Sequence, residues 1–142
     1  MKAIAYNIKP DEKEWLVLAN YKKHDITLIS NSLTTDTLRF ANGKEALLVF
    51  NNDSLTASMI AELKLLGLKY IATSSFETDH LDLQAAGLAG MKIANVPSGD
   101  QAQDLKMRME LVIKNLDQWA AGKCVGKACC CQNNCGVAKA MK

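Results

Sequence analysis

Short apolar runs alternate with longer amphipathic stretches from the first residues to Val96. Ala3-Ile4-Ala5-Tyr6, Ile26 to Ile29, Ala46 to Phe50, Tyr70-Ile71-Ala72-Thr73 and Met91 to Val96 each have the length and side-chain type of a buried strand. The first helix is predicted from Pro10, which suits an opening turn, with Asp11, Glu12 and Glu14 at its positive end. Its spacing places Trp15, Leu18, Ala19 and Lys22 on one face, with Trp15 in the core. His24, at the junction with the second strand, reads as a solvated surface residue.

A short helix is expected from Thr34-Thr35-Asp36 to Phe40, closed by Asn42-Gly43. Ser54 is a candidate N-cap for a helix over Leu55 to Leu66 that turns Met59, Ile60, Leu63 and Leu66 inward and stops at Gly67. Asp79 and Asp82 read as a turn and helix start before a short helix that includes Leu81, Ala85 and Ala86 and ends at Gly87. Ser98-Gly99-Asp100-Gln101 has the form of a capping box. Beyond it, Leu105, Met109, Val112, Leu116 and Trp119 recur at helical spacing through Ala121, and Gly122 suits the position after the helix.

Strands that alternate with helices predict an α/β fold with a parallel sheet and helices on both faces. Five strands in this rhythm suggest the flavodoxin-like order 2-1-3-4-5, covered on one face by the long C-terminal helix. In such sheets ligands bind beyond the carboxyl ends of the strands, so the Thr73-Ser74-Ser75 loop, with hydroxyl and backbone donors, is the first place to look.

Composition changes the picture only near the end of the chain. At 142 residues, 49% apolar and 23% charged, the chain is ordinary for one globular domain, and its net charge of +2 gives no reason to expect a nucleic-acid partner. Residues 1–122 hold 13 Lys and Arg against 15 Asp and Glu; residues 123–142 hold four Lys and no acid. All five cysteines, Cys124, Cys129, Cys130, Cys131 and Cys135, lie in that basic segment. The organisation expected is therefore a domain over 1–122 and a Cys-rich tail over 123–142. No run is long enough to span a membrane, and the opening MKAIAYNIKPDEKEW lacks the apolar core of a secretion signal. The compartment expected is reducing cytoplasm.

In that compartment, clustered thiols point to metal or redox chemistry rather than to structural disulfides. Adjacent cysteines pair poorly with one another, and Lys123 and Lys127 would favour the thiolate. Four or five thiolates within twelve residues can hold one soft ion, as Cu(I), Zn(II) or an iron–sulfur cluster. The spacing C-x4-CCC-x3-C matches neither the plant-type ferredoxin pattern nor the paired C-x2-C of zinc knuckles, so the metal is not readable. An incidental set of thiols on a basic tail is the alternative.

Ser75-Phe76-Glu77-Thr78-Asp79-His80-Leu81-Asp82, followed after the next strand by Asn95-Val96-Pro97, resembles the substrate-domain signature of the D-isomer-specific 2-hydroxyacid dehydrogenases, the D-lactate dehydrogenase branch especially. Met107 to Trp119, with Ala120-Ala121-Gly122-Lys123, resembles the helix that returns to this lobe after the family's cofactor domain. The resemblance covers residues 1–123 and implies the flavodoxin-like fold. It also implies that the nicotinamide-binding domain is missing between Pro97 and that helix. The family's catalytic arginine, glutamate and histidine come from that domain; Arg39 and Arg108 fall on predicted helices, and His80 belongs to the loop motif. No NAD is expected, since the eight glycines never take the spacing Gly-x-Gly-x-x-Gly.

Ser75, Phe76 and Glu77 stand where the family's loop meets the substrate carboxylate. The family has glycine at Glu77, and a glutamate there sets like charge against an acid. Without the covering domain, a face near Phe76 and Pro97 would be open to a protein partner. The resemblance thus implies a non-catalytic relative of the substrate domain that carries a thiol cluster. The alternatives are the substrate half of a split NAD-dependent 2-hydroxyacid oxidoreductase and a small-molecule binder.

Overall fold

The computed structural model describes residues 1–50, 53–75, 77–96 and 104–122. Within them, β1 (Lys2–Tyr6), α1 (Pro10–Asn20), β2 (Asp25–Leu28), a 3-10 turn (Leu38–Ala41), β3 (Ala46–Val49), α2 (Ala57–Leu65), β4 (Tyr70–Thr73), α3 (Leu83–Leu88), β5 (Lys92–Ala94) and α4 (Leu105–Ala120) succeed one another. The strands form one parallel sheet in the order β2-β1-β3-β4-β5, as expected. None of the helices among the described residues is long and apolar enough to cross a membrane.

Side chains alternate across a strand, and here the alternation separates two kinds of core. Ile4, Tyr6, Leu47, Val49, Ile71 and Ile93 point to one face, against Leu38 of the 3-10 turn, Met59, Ile60 and Leu63 of α2, and Ala86 of α3. The other face is built largely from Ala3, Ala5, Ala46, Ala72 and Ala94. Small residues there let α1 and α4 approach closely, and the space is filled from the helices by Leu16, Met109, Val112, Leu116 and Trp119. Trp119 also stacks on Tyr70, with ring centroids 4.9 Å apart.

Several local expectations shift. The buried positions of α1 are Glu12 and Leu16; Trp15 is only half-buried, and Leu18 is 61% exposed. A single helix face seen in isolation does not reveal where the sheet lies. Glu12 is buried because its carboxylate accepts the Lys9 amide at 3.0 Å, closing the first turn. The helix expected from Thr34 is reduced to the 3-10 turn.

Thr56, not Ser54, caps α2, accepting from the Met59 amide at 3.4 Å, while Leu55 forms a parallel bridge with Leu81. Gly87 lies inside α3, and the chain turns instead at Gly90, whose φ of 76° is left-handed. Asp82 is the cap of α3, as expected, accepting from the Ala85 amide at 2.9 Å. The capping box expected at 98–101 lies outside the described residues; α4 opens on Asp104, which accepts from the Lys106 amide at 3.1 Å.

His24 is the clearest correction. Its side chain is only 5% exposed, and its Nε2 lies 2.7 Å from Asp117 Oδ1 on α4. Asn20 clamps the same turn, donating to the His24 carbonyl at 2.8 Å and accepting the His24 amide at 2.9 Å. Lys23 Nζ reaches the other Asp117 oxygen at 2.7 Å. A partner 93 positions away is invisible in the local pattern.

Burial pushes the Asp117 carboxyl up, but the hydrogen bonds and charges of Lys23 and His24 outweigh it and hold the group below its ordinary value. A carboxylate held below its unfolded pKa stabilises the fold above that pKa, and the contribution is lost as pH falls through the folded one. Asp117→Asn should therefore cost about 1 kcal/mol near neutrality, the side chain being partly screened by water. In urea titrations the gap between the two proteins should close as the pH drops below 3.8.

Candidate functional site

The carboxyl ends of β1, β3 and β4 meet on one edge of the sheet, and the strand order reverses between β1 and β3. Asn7 ends β1 with a left-handed φ of 53°, a conformation asparagine tolerates better than most side chains. Its Nδ2 donates to Asp53 Oδ1 at 3.1 Å, and Asp53 Oδ2 accepts the Leu33 amide at 2.9 Å. One carboxylate thus ties together the segments after β1, β2 and β3. On the neighbouring side, the Tyr6 hydroxyl donates to the Thr37 carbonyl at 2.6 Å, and burial raises its pKa to about 12. At the switch point, Asn7, Asp53 and Tyr6 are thus bonded to the chain's own groups.

After β4 the chain makes the loop singled out from the sequence. Thr73 and Ser74 are buried, and the Ser74 amide donates to the Val49 carbonyl at 3.1 Å. The Ser75 hydroxyl donates to the main-chain carbonyl of Glu77 at 2.7 Å, so these two predicted residues do come together. Thr73 Oγ1 lies 2.8 Å from Ser75 Oγ and 3.3 Å from His80 Nε2, and accepts the Ser75 amide at 3.3 Å. The Thr73 and Ser75 hydroxyls are thus engaged within the loop itself.

The Leu55 amide donates to the His80 carbonyl at 2.8 Å and the Asp82 amide to the Leu55 carbonyl at 3.1 Å, which fastens the loop to the segment before α2. Between them lies an open cleft of about 640 Å³, with Leu55, Thr56, Thr78, His80 and Asp82 in its walls.

Charge at this rim is negative. Burial lowers the His80 pKa, and the carboxylates of Asp79, Asp53 and Glu77 pull the other way without overcoming it. The ring is therefore neutral near pH 7, a polar group able to exchange a proton, in the electrostatic field of three acids. Glu77 and Asp79 are themselves exposed. Arg39 sits on the 3-10 turn with its guanidinium 5.2 Å from the Phe40 ring centre, and Arg108 lies on α4. Among the described residues no group of three or more His, Cys, Asp or Glu is placed to hold a metal ion.

Phe76, Pro97 and the cysteines Cys124, Cys129, Cys130, Cys131 and Cys135 lie outside the described residues. Sequence reasoning misses the roles of Asn7 and Asp53, because Asp53 looks like any member of a polar loop. An asparagine ending an apolar run is the one sign in the sequence, and it says nothing about a carboxylate 46 positions away.

Against known proteins, residues 3–129 match the family model described as D-isomer specific 2-hydroxyacid dehydrogenase, catalytic domain. The chain is 35% identical over 101 residues to the D-lactate dehydrogenase of Escherichia coli K12, a match that covers 70% of this chain and 31% of that protein. It is 30% identical over 99 residues to an aromatic 2-oxoacid reductase of Clostridium sporogenes, covering 69% of this chain and 30% of that one. The apo-structure of the Escherichia coli D-lactate dehydrogenase superposes with a TM-score of 0.68 at 34% identity, over 71% of this chain and 32% of that chain. The chain thus spans about 30% of the length of the curated relatives it matches.

If Glu77 helps to hold up the His80 pKa, Glu77→Gln should move the His80 titration, followed by NMR, to lower pH. The wild-type midpoint should already lie below 6.5.

Proposed function

Since this chain belongs to the D-isomer-specific 2-hydroxyacid dehydrogenase family, we propose that it is a non-catalytic relative of that family's substrate domain, with its cysteine segment serving metal binding or thiol redox chemistry. The observation that carries the first half is the acidic loop at the end of β4, whose Thr73 and Ser75 hydroxyls are engaged within it. Ser75 donates to Glu77, Thr73 engages both Ser75 and His80, and three carboxylates bear on that neutral histidine. A 2-oxo or 2-hydroxy acid brought to this rim would meet like charge. Its reduction would require a cation for the carboxylate and a proton donor beside the carbonyl.

The second half rests on composition. Five thiols between Cys124 and Cys135, with Lys123 and Lys127 beside them, are ligands for a soft cation such as Cu(I) or Zn(II), or for an iron–sulfur cluster, and cytoplasm is the compartment such thiols suit. Nicotinamide is not a cofactor in this reading, and neither nucleic acid nor membrane is a partner.

The chain purified without oxygen should carry metal at a simple ratio to protein and should not oxidise NADH with pyruvate or longer 2-oxo acids. The variant with Cys129, Cys130 and Cys131 changed to Ser should lose most of that metal while keeping its circular dichroism. Equal metal in both would end the thiol assignment. Turnover by the isolated chain would end the non-catalytic one, and turnover only when a separate cofactor-domain protein is added would point instead to the substrate half of a split enzyme.

A further inference from the structure

Among the described residues, two buried side-chain nitrogens have no hydrogen-bond partner, His24 Nδ1 and Trp119 Nε1. An indole N–H can only donate, so Trp119 cannot serve a cation. An imidazole nitrogen can, and a buried polar atom left without a partner calls for an explanation such as a bound ion. The His24 side chain is 5% exposed, and its ring is held through the other nitrogen. The Asp117 carboxyl, held below its ordinary value, is an acceptor near neutrality, so Nε2, 2.7 Å away, carries the proton. In the neutral ring Nδ1 is then a bare lone pair. Metal-binding histidines are commonly set in this way: the second nitrogen donates to a carboxylate, which fixes the tautomer and makes the free nitrogen a better ligand.

The place of His24 in the fold brings other ligands within reach. Asp117 lies near the end of α4, and the chain turns just beyond it at Gly122, whose φ of 80° is left-handed. Cys124 follows two positions later. At about 1.5 Å per residue in the helix and about 3.5 Å per residue beyond it, Cys124 lies within roughly 15 Å of Asp117, and Cys129, Cys130 and Cys131 have enough chain to fold back to the same point. His24 also lines a groove of about 660 Å³ between the end of α1 and β2, so the residue borders open space although Nδ1 itself is covered. Lys23 does not oppose a cation here with a free charge, because its Nζ sits 2.7 Å from the other Asp117 oxygen. Thiolates alone suit Cu(I) as well as Zn(II), whereas three thiolates and one imidazole make the Cys₃His set of structural zinc.

We propose that His24 Nδ1 completes, with three of the cysteines between Cys124 and Cys135, the ligand set of a Zn(II) ion that fastens the cysteine segment to the turn between α1 and β2. The proposal rests on the metal-binding role proposed for those cysteines. Zn(II) added to the full chain, kept in reductant and first stripped of metal, tests it by X-ray absorption. The expected shell is three sulfurs at about 2.3 Å and one nitrogen at about 2.0 Å. His24→Gln should lose that nitrogen and weaken Zn(II) binding at least about tenfold with an unchanged circular dichroism spectrum, and His80→Gln should keep it. Asp117→Asn should retain the nitrogen but weaken binding about tenfold, as loss of the carboxylate behind a ligating histidine does. If His24→Gln fails to fold, the shells of the wild type and of His80→Gln decide. A four-sulfur shell, a nitrogen lost with His80, or binding indifferent to His24→Gln in a folded chain would overturn the proposal and leave the thiol assignment standing. A chain that takes up no Zn(II) would overturn it too, and the broader metal reading falls with it only if neither Cu(I) nor iron is bound.

Discussion

The alanine face of the sheet constrains the rest of the fold. Ala3, Ala5, Ala46, Ala72 and Ala94 leave a shallow floor that cannot bury itself. The large side chains of that core must therefore come from helices that lie close to the sheet, and α4 supplies Met109, Val112, Ile113, Leu116 and Trp119. The last helix is for that reason as much part of the domain as the strands are. Its far end is fixed in direction as well, since Asp117 takes both His24 and Lys23 from the turn between α1 and β2. Hydrophobic area holds the helix down, and a short, partly buried charge cluster sets its register.

At the opposite edge of the sheet the polar groups obey a different logic. Loops after parallel strands carry backbone groups that the sheet does not satisfy, and a binding protein would leave some of them to its ligand. Here Asp53 ties Asn7 to Leu33, and the Thr73–Ser75–Glu77–His80 set closes on itself. In the loop after β4 the Thr73 and Ser75 hydroxyls are engaged by neighbouring loop groups, and the exposed charges of Glu77 and Asp79 are acidic. That combination is why family membership and the proposed loss of acid binding are compatible.

The strand-and-helix alternation, the sheet order and the buried stripe of α4 are legible in the sequence because each depends on local periodicity. Buried parallel strands give short apolar runs, and a covering helix repeats every three or four residues; neither needs knowledge of a partner. Element ends are less legible. The cap at Thr56 and the turn at Gly90 compete with Ser54 and Gly87, which have equally good chemistry, and packing chose between them. Ser75 and Glu77 are found as neighbours because the loop motif places them two positions apart.

What the amino-acid order determined by itself was the fold class, the position of the candidate loop and the concentration of thiols after residue 123. Tertiary structure alone decided that His24 is buried, that Leu18 faces water, that Asp53 ties Asn7 to the Leu33 amide and that the charges of Asp79, Asp53 and Glu77 all act on His80. Each of these depends on groups brought together from distant parts of the chain. A local pattern reports which residues share a face; only the folded chain establishes what lies opposite that face, and so whether a charge is paired, buried or left to solvent.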